Sequence, residues 1–358
     1  MFIIQFPLHP LLMYSLMTAK SKWLLSTGMW VEDLIHDACE TLTGADGLLP
    51  SFILDLSDIS ITVHFTEAEM KEMKSEFPVM PAPNKMLSNI LQPYFMARTV
   101  EELEALRPTP TPGVSETSDH HAEDSAAMCR WVNIVISNTC HLLLSRNNLL
   151  HMPQMEGWYN YNVWHQIIDV AFVPVPSIML ARGESVCRAS SLLLNRNRTC
   201  TGPENRQRLG PKLDGIIRTV THDYLEFGAI EAGKDFYGTG ATKWIEDGAK
   251  LRGVLRDMLV RLHDMVDEES VGKLQTVGII CGGLKLQLVR CWAKKKGGAV
   301  FCQNVDRVNE YPKSFHELHK HLWYLMKTVD SARRIVEETL RVVERAGSPM
   351  TEEKFSNP

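Results

Sequence analysis

The sequence lacks any apolar run of the roughly 20 residues that a membrane-spanning helix needs. Its apolar beginning, residues 1–25, is interrupted by Pro7 and Pro10. The basic residues Lys20 and Lys22 follow this apolar part, whereas a secretory signal carries its basic residues before it. We therefore expect an intracellular protein, nuclear or cytoplasmic, with no membrane partner.

An excess of positive charge is also missing, because 38 Lys and Arg stand against 43 Asp and Glu for a net charge of −5. No global positive field draws such a chain onto nucleic acid, so any polyanion site must be local. The eight cysteines are scattered and include no Cys-x-x-Cys pair. This spacing excludes a zinc ribbon or a dense disulfide scaffold and favours reduced thiols.

What the chain does have is enough apolar sequence for a folded core, with 44% hydrophobic residues among 358. The composition changes abruptly at residues 107–125, which read PTPTPG followed by small and charged residues. Such a segment cannot bury enough surface to offset the cost of ordering it. We predict a mostly helical region over residues 1–106, a disordered linker over 107–125, a second domain over 126–346 and a tail over 347–358.

Helix starts are marked by the Ser/Thr-x-x-Glu capping box, in which a side chain and a backbone amide satisfy each other. It occurs at Thr66 with Glu69, at Thr99 with Glu102 and at Ser314 with Glu317. We predict helices from about 66 to 76, from 99 to 106 and from 314 onward.

The second domain has short β-rich runs separated by Gly, Pro and Asn. We expect two helices over 126–145 and 158–172, then strands over 177–194, 212–220, 225–232 and 276–292, with an amphipathic helix over 243–266 before the last strand. The resulting order of helix, three strands, helix and strand predicts an α+β fold.

The last predicted helix carries a heptad seam of apolar residues. The seam comprises Leu318, Leu322, Leu325, Val329, Ala332, Val336, Leu340 and Val343. Two alternatives follow: the helix packs across its own domain, or residues 314–345 join copies of the chain into a homo-oligomer.

Two acids in neighbouring predicted strands are the best candidates for chemistry. Asp214 interrupts one apolar run and Glu231 ends the next, where a charge is costly unless it finds a partner. If the strands form a hairpin, both carboxylates can reach one Mg²⁺, which prefers oxygen ligands. Lys234 is the nearest ammonium in sequence, and the alternatives are Lys212, Lys243 and Lys250.

This order of elements, with an acid in the second strand and a Glu and a Lys at the third, resembles the PD-(D/E)XK nuclease-like fold. The short motifs that carry the resemblance are also similar to those of uncharacterised fungal proteins with such a domain. They are Glu156-x-Trp158, Arg182-Gly183-Glu184-Ser185, Lys212-Leu213-Asp214-Gly215 and Glu226-Phe227-Gly228-x-x-Glu231-x-Gly233-Lys234, within residues 155–312.

The resemblance implies a restriction-endonuclease-like α-β-β-β-α-β core that hydrolyses nucleic-acid phosphodiester bonds with Mg²⁺. It implies Asp214, Glu231 and Glu156 as metal ligands, and Asp214, Glu231 and Lys234 as catalytic residues. The usual motif separates the acid and the lysine by one residue, so that both point into the site. Here Gly233 occupies that position, and a bulge at Gly233 is needed to bring Lys234 back.

Two other functions compete with this hypothesis. The domain is alternatively a catalytically degenerate binding or assembly module, which the displaced lysine favours. The run from Gly228 to Lys234 also fits a phosphate-binding loop, but Asp235 stands where that loop needs Ser or Thr.

Overall fold

The computed structural model describes residues 14–15, 17–41, 51–58, 62–106, 120–147, 149–196, 198, 206–221 and 224–347. Within them, seven strands form one mixed sheet in the order β1-β7-β6-β5-β4-β3-β2. Its strands are β1 (Ile53–Asp55), β2 (Ile178–Val186), β3 (Lys212–Thr219), β4 (Glu226–Gly233), β5 (Gln275–Gly282), β6 (Lys285–Ala293) and β7 (Val300–Glu310). Pairing is parallel between β1 and β7 and between β4 and β5, and antiparallel elsewhere.

Several helices precede β2 in the chain. They are α1 (Val31–Thr41), α2 (Glu67–Glu76), α3 (Lys85–Met96), α4 (Val100–Ala105) and α5 (His120–Leu143). The predicted capping box at α2 is present, because Thr66 accepts from the Glu69 amide and Glu69 accepts from the Thr66 amide.

The remaining helices alternate with the strands. A helical stretch before β2 consists of α6 (Glu156–Tyr159), a π-helical segment (Asn160–Asp169) and α7 (Val170–Phe172). The others are α8 (Arg188–Asn195), α9 (Thr242–His263), α10 (Glu268–Val271) and α11 (Phe315–Gly347). The fold is therefore mixed α and β, with a mixed sheet and a long C-terminal helix, as the sequence predicts.

Helix α9 makes the crossover between the parallel strands β4 and β5 and packs directly on them. A Cβ added to Gly278 of β5 would lie 2.8 Å from side-chain carbons of Leu251 and Leu255, so glycine allows this close approach. Both faces of β5 are buried along its whole length, by α9 on one side and by α11 on the other. The candidate site lies on the face of the sheet that α9 covers.

The heptad seam of α11 faces the chain's own sheet. Leu322, Leu325, Val329, Ala332 and Val336 are fully buried in the main core. This packing matches the first of the two alternatives, a helix laid across its domain. Self-association through residues 314–345 stays a prediction that no feature of this helix supports.

Two predicted element assignments need correction. The run from 177 to 194 is a strand followed by helix α8, and the run from 276 to 292 is the hairpin of β5 and β6 rather than one strand. In each case the apolar run has the composition of a strand, but a change of direction or a local cap ends it.

The regions predicted as two domains share one core. Strand β1 pairs with β7, and Leu87, Leu91 and Leu103 belong to the same buried cluster as the sheet. Helix α5 begins at His120, so the last residues of the predicted linker, 120–125, are helical. Residues 107–119 and the tail over 348–358 lie outside the described residues.

One pair of cysteines is joined in the structure. Cys291 and Cys302, register partners on β6 and β7, form a disulfide, which corrects the expectation of reduced thiols for this pair. They are separated by 11 positions, so sequence spacing alone does not reveal that the hairpin joins them.

In the part of the chain that the structure describes, no helix has the length and apolar character needed to cross a bilayer.

Candidate functional site

The predicted acids Asp214 and Glu231 lie on hydrogen-bonded neighbouring strands. Strands β3 and β4 pair antiparallel, with Gly215 opposite Ile230 and Ile216 opposite Ala229. One step further, this register sets Asp214 opposite Glu231, and directly opposed residues share one face of a sheet. The two carboxylates therefore lie on the same side of the sheet, the side that α9 covers.

Asp214 is anchored by the backbone of the neighbouring strand. Its Oδ2 accepts a hydrogen bond of 2.7 Å from the amide of Ala232. Its negative charge also raises the pKa values of both Glu156 and Glu231, so Asp214 lies within electrostatic range of the two other acids.

Glu231 is a buried carboxylate whose partner comes from α9. The Nζ of Lys250 lies 2.7 Å from its Oε1, and the Glu231 side chain is 5% exposed. The two charges therefore form a close ion pair at a buried position. Burial is the largest influence and raises the pKa of Glu231 to about 7, although the Lys250 charge lowers it.

Glu156, at the start of α6, joins this group from the other side. Burial and the charge of Asp214 raise its pKa, whereas Lys243 of α9 lowers it. Glu156 therefore lies within electrostatic range of Asp214 and Lys243. The structure sets two of the predicted residues, Asp214 and Glu231, at opposed positions of neighbouring strands.

Lys234 occupies a different position from these three acids. It follows the last residue of β4, is exposed, and forms no ion pair with a described residue. The lysine in contact with Glu231 is Lys250, one of the alternatives that the sequence offered.

Asp247 is a residue of this cluster that sequence reasoning missed. It is 7% exposed, and its Oδ1 accepts a hydrogen bond of 2.5 Å from Lys243 Nζ. Lys243, Asp247 and Lys250 are spaced i, i+4 and i+7, the spacing of residues on one side of a helix. That spacing on an amphipathic helix next to the predicted strands was the signal in the sequence.

The cluster contains carboxylates, the kind of oxygen ligand that Mg²⁺ prefers, but these carboxylates are already engaged by the chain. No group of three or more His, Cys, Asp or Glu side chains within the described ranges has the spacing of a metal site. Mg²⁺ commonly uses only one or two carboxylates, together with water and substrate phosphate. Asp214 and Glu231 are two such carboxylates, and each already contacts a group of the chain, the Ala232 amide and the Lys250 ammonium.

The phosphate-binding-loop alternative places Gly228 to Gly233 in a loop, but these residues belong to strand β4.

Comparison of the chain with protein-family models, curated proteins and solved structures finds no match.

Proposed function

We propose that this protein hydrolyses nucleic-acid phosphodiester bonds with Mg²⁺ held by Asp214 and Glu231. The observation that supports the proposal is the placement of these two acids on one side of the sheet, with Glu156 and the lysines of α9 around them. The resemblance to PD-(D/E)XK nucleases rests on the order helix, three strands, helix and strand, and the observed elements follow it with helix α8 added between β2 and β3. Strands β2, β3 and β4 pair antiparallel, and α9 crosses over to the parallel strand β5.

The chain's own groups have distinct roles in this proposal. Glu231 and Asp214 hold the cation, and Glu156 adds a third carboxylate at the mouth of the site. A bound Mg²⁺ polarises a phosphate and lowers the pKa of a coordinated water. Lys250, rather than Lys234, supplies the positive charge beside Glu231 that stabilises developing charge on the phosphate.

The cation requires Glu231 in its ionised form. Because burial raises the pKa of Glu231 to about 7, protons compete with the metal below that pH. Activity at a limiting Mg²⁺ concentration is therefore expected to rise as the pH increases through this value.

The first test is hydrolysis of single- and double-stranded DNA and RNA by the full chain with Mg²⁺. We expect Asp214→Ala to lower the rate by about a hundredfold or more, because loss of a supporting group at a metal site already costs about ten- to a hundredfold. Asp37→Ala, at an exposed position on α1, is the matched control and keeps the wild-type rate. An unchanged rate in Asp214→Ala contradicts the proposal.

Two substitutions, Lys250→Met and Lys234→Met, distinguish the roles of the two lysines. We expect the first substitution to lower the rate at least about tenfold, since it removes the cation beside Glu231, and the second to leave the rate within about twofold of wild type. The reverse order supports the lysine position predicted from the sequence. Binding of nucleic acid without hydrolysis by the wild-type chain supports the degenerate binding module.

A further inference from the structure

An excess of positive charge occurs in one part of the chain, residues 188–218. This part contains seven Lys and Arg against two acids, whereas the whole chain has a net charge of −5. Six of the seven basic residues are arginine. Because the net charge leaves room only for a local polyanion site, the surroundings of helix α8 and strand β3 are where such a site is expected.

A cavity of about 620 Å³ lies in this region, between α8 and the last turn of α9. Arg188 and Arg196 line it from the α8 side, and Arg261 lines it from α9. Among the described residues of the lining, the one acid is Asp264, whose Oδ1 already lies 3.1 Å from the Nζ of Lys296. The cavity therefore has an excess of positive charge.

Two arginines of this lining carry charges that the described chain leaves unmatched. Within the described ranges, neither Arg196 nor Arg261 forms an ion pair. Arg206 and Arg208 flank Gln207, which also lines the cavity, and these two exposed arginines likewise form no ion pair with a described residue. A guanidinium donates paired, parallel hydrogen bonds to the oxygens of an anion such as phosphate.

One wall of the cavity is a segment of chain that is fixed to α8. The side chain of Asn195 donates to the Arg208 carbonyl at 2.8 Å and accepts from the Arg208 amide at 2.9 Å. The Gly210 amide donates to Ser191 Oγ at 2.8 Å. A Cβ on Gly210 would lie 2.3 Å from the Cys187 carbonyl oxygen, so the packing of this segment requires glycine. The cavity is therefore built by specific contacts.

The other walls, α8 and α9, are joined by a buried hydrogen bond of 2.6 Å from Ser190 Oγ to Asp257 Oδ2. Arg261 follows Lys250 by 11 positions on α9, which is about three turns, so the two side chains lie on the same side of the helix. Their separation along the helix axis is about 16 Å. The cavity therefore adjoins the side of α9 that carries Lys250, displaced from Glu231 toward the C-terminal end of the helix.

The number of arginines distinguishes between anionic ligands. A single phosphate ion needs only one or two guanidinium groups, whereas Arg196, Arg206, Arg208 and Arg261 are distributed over three walls of the cavity. This distribution suits the successive phosphates of a nucleic-acid strand, which supply affinity without reading the sequence. A strand can enter a concave cavity, whereas the flat surface of a membrane meets only the groups that protrude from a protein.

We propose that this arginine-lined cavity binds backbone phosphates of a nucleic-acid strand, with Arg196 and Arg261 in direct contact with them. The choice of nucleic acid as the source of the phosphates rests on the proposed nuclease function. The cavity holds the strand by its backbone, away from the bond that is cleaved, so binding depends on salt concentration and not on base sequence.

The test measures binding of single- and double-stranded oligonucleotides of about 20 nucleotides to the full chain by fluorescence anisotropy, from about 50 to 200 mM KCl, with EDTA in place of Mg²⁺. We expect Arg196→Gln combined with Arg261→Gln to weaken binding about tenfold or more. The slope of log K against log salt concentration falls by about two, since each lost phosphate contact no longer releases its counterion.

The matched control is Arg98→Gln combined with Arg146→Gln, which removes the same charge at two exposed positions outside the cavity. It keeps the wild-type affinity and slope. A folding defect is separated from a lost contact by substituting lysine at Arg196 and Arg261. That variant keeps the charge and therefore the slope, and it loses less affinity than the glutamine variant, because only the paired guanidinium hydrogen bonds are missing.

The inference is overturned if neither oligonucleotide binds, if the glutamine variant binds like wild type, or if the control loses as much affinity. It is also overturned if the lysine variant has the slope of the glutamine variant, or if the chain binds phosphatidylserine vesicles in preference to both oligonucleotides. Asp214→Ala is expected to keep oligonucleotide binding in this assay. Because the nuclease test measures hydrolysis and this one measures binding without metal, each proposal can fail by itself.

Discussion

At the scale of single residues, Glu231 combines two requirements that oppose each other. A metal ligand must be ionised, whereas burial disfavours the charge and raises the pKa of Glu231 to about 7. The Lys250 ammonium lowers that pKa, and the charges of Asp214 and Asp247 raise it. The site is therefore tuned so that a small change in its charges decides whether Glu231 is ionised near neutral pH.

This coupling predicts a pH dependence of stability. The folded state holds the Glu231 proton more tightly than the unfolded state, whose value is 4.5. Stability is therefore lost as the pH rises between about 4.5 and 7, and Glu231→Gln lacks this loss. From pH 5 to pH 8, we expect urea unfolding to show wild type losing up to about 3 kcal/mol relative to Glu231→Gln.

The control for this experiment is Glu338→Gln, at an exposed position on α11. It should follow the wild-type pH profile. If Glu231→Gln does so too, Glu231 is ionised over the whole range and its burial does not control its charge.

At the scale of elements, helix α8 begins on a buried carboxylate from β4. Glu226 is 3% exposed and accepts from the amides of Arg188 at 2.9 Å and Ala189 at 2.7 Å. These are amides of the first helical turn, which have no partner within the helix. The charge also lies at the positive end of the helix, so one side chain links α8 to the sheet.

We expect Glu226→Ala to lower the free energy of unfolding by about 2 kcal/mol or more, because two buried amides lose their acceptor. Glu226→Gln keeps one acceptor and should recover part of the loss. Glu184→Ala removes an exposed ion pair with Lys212 and should cost less than about 1 kcal/mol. Chemical denaturation of the three variants checks this order, and equal losses for Glu226→Ala and Glu184→Ala contradict it.

The sequence predicts an element well when the residues that stabilise it are close together in the chain, and poorly when they are far apart. The capping box of α2 and the heptad seam of α11 are local patterns, and the structure has both. The pairing of Asp214 with Glu231 follows from two strands and one short connection. Helix α8 was missed because the carboxylate that accepts from its first two amides, Glu226, comes from another strand.

The contact of Lys250 with Glu231 illustrates the same limit at the site. Sequence spacing favours Lys234, three positions from the acid, whereas Lys250 reaches it only because the crossover helix returns over β4. Long-range packing, rather than local preference, decides this contact.

At the scale of the whole molecule, α11 closes the core. Its buried residues include Leu322 and Leu325, and Thr339 exchanges hydrogen bonds with the backbone of Gln275 on β5. Removing this helix would expose the apolar face of the sheet, and a single buried leucine already contributes about 2 to 5 kcal/mol.

We therefore expect a chain ending at Lys313 to lose cooperative thermal unfolding and to aggregate, and a chain ending at Gly347 to melt like wild type. Differential scanning calorimetry with light scattering distinguishes these results. A shortened chain that stays folded and changes only from an oligomer to a monomer would instead support assembly through residues 314–345.

The parallel pairing of β1 with β7 has a consequence for synthesis. Ile53 pairs with Val300, about 250 positions later, and contacts of such long range slow folding. On the ribosome, β1 emerges long before its only strand neighbour in the described sheet and must wait until nearly the whole polypeptide has been translated. A nascent chain stalled before Val300 therefore cannot complete the native sheet, and its exposed apolar segments are expected to recruit chaperones.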